Sequence, residues 1–140
     1  YYFKTKEDFE KHIAEGDMLE WAEYSGNLYG TARESLLTPV REGKVVVKEM
    51  DVQGIEFVLK ALPRDYIKLV YVDAGTWDVL SRRINARGEM SPEELEKRHA
   101  RYLEEIKYKN RADFVVQNYN GELEKAKAAL ITYVDSILEK

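Results

Sequence analysis

Cysteine is absent from the 140-residue chain, which excludes disulfides and thiolate metal sites and fits a reducing compartment. No apolar run approaches the roughly 20 residues of a membrane-spanning helix. No secretory leader opens the sequence, so a cytoplasmic protein is expected. The formal charge is −4, and no whole-chain basic field draws in nucleic acid or an acidic membrane. Histidine is scarce: His12 and His99 form neither a metal pair nor part of a Ser-His-Asp set, and both are expected at the surface. Repeats and low-complexity tracts are missing too. What remains, 44% hydrophobic and 34% charged residues, suits a single domain with one sizeable core.

Strand-like and helix-like segments alternate, which predicts an α/β fold with a mainly parallel sheet. Thr5 and Asp8 resemble a capping pair for a helix through Phe9 and Ile13 that stops at Gly16. "MLEWAEY" alternates as a strand, with Leu19 and Trp21 on a core face with Leu28, and Glu20, Ala22 and Tyr24 opposite. "SGN" is turn chemistry. Thr31 and Glu34 form a T-x-x-E capping box, and Pro39 is expected to split the following helix in two. "KVVVKEMD", "YIKLVYV" and "DFVVQN" read as three buried parallel strands. Between them, helices are expected from Val52 to Leu62, from Thr76 to Ala86, and from Ser91 to about Lys109. Ser91, Pro92 and Glu94 combine a cap, an N1 proline and a capping-box acid. A closing helix from about Glu122 to Leu138 is expected to bury Leu123, Ala126, Leu130, Val134 and Ile137.

Three constellations carry chemistry. In "LEWAEYSGNLYGT" a carboxylate, phenols and a hydroxyl share one hairpin. A carboxylate at Glu20 can accept two adjacent N–H donors, as guanine presents and adenine does not, while Thr31 can donate to O6 and Tyr1 and Tyr29 to a phosphate. Taken singly, each has a plain reading as solvated strand, cap or packing. The second constellation is "EMDVQG", where Glu49 and Asp51 end a predicted strand and Gly54 lets helix and strand approach closely. An acid pair there suits Mg²⁺ or substrate contact. The third is a locally basic stretch holding Arg83 and Arg87 four apart, then Arg98 and Arg101. Arginine forks suit phosphate, and Gly88 offers a hinge for a lid, although a solvated charge-laced helix explains such a row equally.

Together "LEWAEYSGNLYGT", "EMDVQG", "RRINARGE", "EKRHARYLEEI" and "DFVVQN" resemble the guanylate kinase family, in order and at its spacing, over essentially the whole chain. The resemblance implies a P-loop-kinase-type α/β fold with a mainly parallel sheet and flanking helices. It implies a β-rich GMP-binding subdomain at 1–43, a core at 44–88 and 110–140, and a helical lid at 89–109. It implies ATP- and Mg²⁺-dependent phosphorylation of GMP or dGMP by a monomer or homodimer. Glu20 and Thr31 would read guanine, Tyr1 and Tyr29 would hold the GMP phosphate, and Asp51 would serve the GMP pocket. Glu49 would lie near metal and phosphates. Arg87 and Arg98, with Arg83 as a weaker third, would clamp the ATP phosphates and serve catalysis. Asn118 would lie on the adenine side.

Two departures stand out. "VDAGT" replaces a Pro-rich turn and is expected to leave the chemistry untouched. No G-x-x-x-x-G-K-[ST] occurs, and Gly43-Lys44 leads into Val45 and a predicted strand. The family's first strand, phosphate loop and a GMP-gripping arginine segment precede the position matching Tyr1. A truncated chain is therefore expected, inactive alone, with an exposed sheet edge, and with lowered stability or edge pairing in an oligomer. The alternatives are a non-catalytic module of the same fold that binds phosphorylated peptides, and a kinase for another nucleoside monophosphate.

Overall fold

A computed structural model describes residues 5–24 and 26–139, the side chains of Ala22 and Tyr24 excepted. The architecture is α/β, and the chain divides into two compact units, Tyr1–Pro63 and Arg64–Lys140.

In the first unit, helix α1 (Lys6–Ala14) starts as its sequence dictates: the Thr5 hydroxyl accepts from the Asp8 N–H at 3.1 Å, and Gly16 turns the chain at φ 74°. Strands β1 (Met18–Tyr24) and β2 (Asn27–Ala32) form an antiparallel hairpin in which Glu20 faces Thr31, Trp21 faces Gly30 and Ala22 faces Tyr29. The register shifts between Met18 and Glu20, and the intervening Leu19 is fully buried. Trp21 departs from expectation. It is 49% exposed and lines a cavity of about 280 Å³ with Ile13, Leu28 and Lys6, so it stays with Leu28, while the register irregularity between Met18 and Glu20 parts it from the buried Leu19.

Helix α2 (Arg33–Arg41) is one piece despite Pro39. The proline lies close to the C-terminus, and Glu34 Oε2 accepts from both Thr38 and Arg41 at 2.9 Å, which ties the helix along one face. Its N-cap is Ala32, with no side-chain capping bond, so the expected Thr31–Glu34 box does not form. The segment 44–51 is not a strand. Val45 and Val47 are 56% and 76% exposed. A β-branched run needs a ladder partner, and none of the described strands pairs with it. Helix α3 (Val52–Ala61) follows as expected.

In the second unit, β3 (Val70–Asp73) and β4 (Phe114–Gln117) pair in parallel, Val70 opposite Phe114 and Asp73 opposite Gln117. Among the described residues this is the only parallel pair, where three strands were expected. The strand read from Tyr66 shortens to β3 because side chains hold its first part. The Arg64 guanidinium donates to the Ile67 carbonyl and to Asp113, whose Oδ2 also accepts from the Leu69 N–H. Val72 is 54% exposed, so β3 is not buried on both faces. Helix α4 (Trp77–Asn85) follows Thr76, which makes no capping bond. Helix α5 (Pro92–Glu105) is capped by Ser91, whose hydroxyl accepts from the Glu94 N–H at 3.2 Å. It passes into a 3-10 turn over Ile106–Arg111 rather than running on as α-helix. Helix α6 (Leu123–Leu138) buries Ala126, but Leu123 is exposed. A two-stranded sheet is too narrow to cover the whole apolar stripe.

Candidate functional site

The first unit brings three of the sequence-singled residues together. Glu20 and Thr31 face each other across the hairpin, and the Thr31 hydroxyl donates to Glu20 Oε1 at 2.6 Å. Both are half-buried. Thr31 remains a β2 residue, and the N-cap position of α2 passes to Ala32, which has no side chain able to cap. Asp51 caps α3, its Oδ1 accepting from the Gly54 N–H at 2.9 Å. Gly54 is buried at the contact with the hairpin. A Cβ placed there would sit 3.3 Å from Met50 Cβ, 3.5 Å from Asp51 Oδ1 and 3.6 Å from Glu20 Cγ. The missing side chain lets the first turn of α3 lie against Glu20 of β1, whereas the strand expected to make such an approach, over 44–51, does not form. Strand alternation puts Tyr29 on the face of β2 that carries Thr31, and its side chain is largely exposed. Glu49 is exposed in the irregular 44–51 segment. Tyr1 lies outside the described residues.

Such a cluster can recognise a polar ring. A carboxylate has about four lone-pair positions. With Oε1 receiving the Thr31 proton, its remaining lone pairs can receive neighbouring N–H donors, and its orientation is already fixed.

In the second unit, Arg87 and Arg98 line one cavity of about 250 Å³ with Ile84, Gly88, Glu89 and Glu94. Two guanidinium groups in one concavity suit a polyanion. Arg83 is not among its lining residues. Helix α4 ends at Asn85, so Arg87 lies beyond the helical face that the four-residue spacing proposed, and the Arg83 Nε instead donates to Asn120 Oδ1 at 2.6 Å. Asn118 follows β4, and its N–H donates to the Asp73 carbonyl at 2.8 Å.

Sequence reading overlooked the cluster at the carboxyl ends of β3 and β4. Asp73 is 6% exposed. Its Oδ1 accepts from the Gly75 N–H at 2.9 Å, its Oδ2 from Lys109 Nζ at 2.8 Å, and its side chain also hydrogen-bonds Tyr119. Burial pushes this carboxyl up, but the Lys109 ammonium, the Gly75 N–H and the Tyr119 hydroxyl outweigh it and hold it below the ordinary carboxylate value. Asp73 in turn raises Lys109. The signal was available, since "VDAG" is an acid at a strand end, the same feature that drew notice to Glu49 and Asp51. His99 also departs from its expected surface role. Its ring stacks on Trp77 with centroids 4.5 Å apart, and Tyr102 lies 5.6 Å from the same indole.

The sequence model of a family described as guanylate kinase matches residues 1–137. The chain belongs to the guanylate kinase family. It is 35% identical over 136 residues to a guanylate kinase of Thermosynechococcus vestitus, covering 97% of this chain and 69% of that one. A guanylate kinase of Streptomyces coelicolor is 41% identical over 100 residues, or 71% of this chain and 50% of the relative. One from Streptomyces kasugaensis is 35% identical over 122 residues, or 87% and 58%. The chain thus spans 50% and 58% of the length of the two Streptomyces relatives. The crystal structure of guanylate kinase from Anaplasma phagocytophilum shares the fold with a TM-score of 0.69 at 23% identity, covering all of this chain and 66% of that one. The guanylate kinase match takes in both the Glu20–Thr31 hairpin and the Arg87–Arg98 cavity. No helix among the described residues is long and apolar enough to cross a membrane.

Proposed function

We propose that this protein is a guanylate kinase in activity as well as family, transferring the γ-phosphoryl group of ATP to a phosphate oxygen of GMP or dGMP and releasing ADP. The observation that carries this reading is the Thr31–Glu20 bond at 2.6 Å. It orients a carboxylate to accept the N1–H and 2-amino donors of guanine, and adenine lacks that donor pair. Tyr29, and Tyr1 with it, donate to the GMP phosphate, and Asp51 completes the GMP pocket. Arg87 and Arg98 hold the ATP phosphates and neutralise charge as the phosphoryl group moves; Asn118 serves the adenine side. Arg83 acts at one remove, through Asn120. The reading carries with it a P-loop-kinase-type core, a GMP-binding subdomain over 1–43 and a lid over 89–109, in a cytoplasmic monomer or homodimer.

Magnesium is implied by the chemistry. The exposed Glu49 carboxylate is a hard oxygen donor that fits Mg²⁺, directly or through water. A bound ion would neutralise phosphate charge there. The 140 residues contain no glycine-rich loop leading through lysine into a helix. We therefore propose that they turn over negligibly by themselves. The same observation favours, as the second reading, a binding module that holds phosphorylated peptides.

Calorimetry on this chain with GMP, AMP, UMP and a phosphoserine peptide separates the readings. GMP binding alone, lost in E20Q, supports the guanine site. Preference for the peptide supports the module, and equal binding of all three nucleotides removes the guanine reading. Robust GDP formation by the 140 residues would overturn the proposed inactivity.

A further inference from the structure

The buried carboxylate of Asp73 is not used by the reaction scheme above, yet it joins three separate pieces of the second unit. It accepts the Gly75 N–H in the β3–α4 turn, the Lys109 ammonium in the 3-10 turn that continues α5, and a hydrogen bond from Tyr119 in the β4–α6 turn. Three further contacts tighten the knot. Gly75 has φ 93°, and a Cβ there would lie 3.7 Å from the Tyr119 ring, so the ring rests directly against a backbone that favours glycine. The Asn118 N–H donates to the Asp73 carbonyl, and Arg83 holds Asn120 from α4. These groups sit at the carboxyl ends of two parallel strands, where open α/β sheets bind ligands.

A carboxylate at such a place would ordinarily be expected to face water or ligand. Here both oxygens are committed to donors, and the side chain has almost no exposure. Its contacts set the positions of other groups. We propose that Asp73 is a positioning residue of the ATP subsite. It fixes the 118–120 turn, which presents Asn118 to the nucleotide, and it anchors the root of α5, which carries Arg98. Lys109 acts as its counter-charge and is not itself a phosphate ligand. This rests on the reading of Asn118 and Arg98 as ATP-binding residues.

The test uses the 140-residue chain with D73N, K109M and K109R. D73N keeps the size of the side chain and one acceptor but removes the charge. ATP and GMP affinities are measured by calorimetry, and backbone hydrogen exchange is followed in the free chain. The expected result is a loss of about tenfold or more in ATP affinity for D73N and K109M. GMP should stay within about twofold, because its proposed residues lie in the first unit, and K109R should restore ATP binding. Exchange in D73N should rise together at Gly75, at 107–111 and at 118–121. Wild-type ATP affinity in D73N, or faster exchange confined to Gly75, overturns the positioning role while leaving the nucleotide site in place. Tighter ATP binding by D73N overturns it as well, since Lys109 would then be a phosphate ligand that Asp73 masks. A wild-type chain that binds GMP but not ATP overturns both the ATP subsite and the role given to Asp73.

Discussion

The Thr31 hydroxyl donates to Glu20 Oε1 at 2.6 Å, from directly across the hairpin register. Each residue therefore limits the other's rotamers before any ligand arrives. A carboxylate held in this way loses less freedom on accepting a base, which favours both affinity and discrimination. Replacing the acid by its amide keeps the shape but places a donor where guanine needs an acceptor. E20Q is expected to weaken GMP binding by about 10- to 100-fold, on the scale of a lost hydrogen bond to a charged group. T31V should cost less, about tenfold, and T31S should stay near wild type because it keeps the donor. Titration calorimetry reads all three, and wild-type GMP affinity in E20Q would remove Glu20 from the site.

Gly30 faces Trp21 in the hairpin. A Cβ at this position would clash with the Glu20 carbonyl oxygen and would lie 2.8 Å from Met18 Cε and 3.0 Å from Trp21 Cα. The methionine end can move, but the two backbone atoms cannot without bending β1. G30A is expected to destabilise the chain by about 1–3 kcal/mol, the usual range for overpacking. It should also weaken GMP binding, because Glu20 is displaced with its carbonyl. Urea melts and calorimetry on the same sample check both parts. An unchanged melt would mean that the hairpin relaxes freely.

Local signals were legible in the sequence wherever a short segment decides its own structure. Thr5, Ser91 and Pro92 announced α1 and α5, and Gly54 announced a close approach, although the strand expected there was 44–51 and the one found is β1. Failures came where a distant partner decides. Val45 to Val47 have strand propensity, but propensity does not form a ladder without a neighbour. Thr31 has a capping spacing to Glu34, but the pairing of Thr31 with Glu20 keeps it inside β2 and the N-cap passes to Ala32. Trp21 follows strict alternation, but the irregularity at Leu19 breaks the grouping. The Glu20–Thr31 pairing was accessible because one hairpin sets it. For Asp73 only the acid at a strand end was visible; its partners were not, because Lys109 is 36 residues away and Tyr119 comes from a third segment.

Two carboxylates should govern the acid limb of stability. Burial raises both Asp73 and Asp113, but their donors prevail and leave each below its ordinary value. These donors are Lys109, Gly75 and Tyr119 for the first, and the Leu69 N–H and Arg64 for the second. A carboxylate depressed on folding stabilises the native state above its unfolded value, and that contribution is lost as pH falls through the folded value. The chain should therefore hold its stability from neutrality to about pH 4 and lose it below. Lys109 is raised by Asp73, so its contribution is complete below the ordinary lysine value and fades only at still higher pH. D73N and D113N should lower stability near pH 7 and flatten the acid limb. Urea midpoints between pH 7 and 3 measure this, and parallel curves for wild type and D73N would refute it.

The Arg87–Arg98 cavity also contains two acids, Glu89 and Glu94. Like charges in one concavity oppose a phosphate chain, whereas the guanidinium groups favour it, so acid and base substitutions should move affinity in opposite directions. R87A and R98A are expected to weaken ATP binding by about 10- to 100-fold. R98K should recover only part of this, because an ammonium cannot form the paired bonds of a planar fork. E94Q leaves the helix start intact, since Ser91 caps the backbone N–H of residue 94 rather than its side chain. It should strengthen ATP binding by a few-fold at low salt, and the gain should shrink as salt screens the exposed charge. Affinities measured at two ionic strengths decide the matter. If E94Q weakens ATP binding at both, Glu94 is orienting an arginine and not opposing the phosphates.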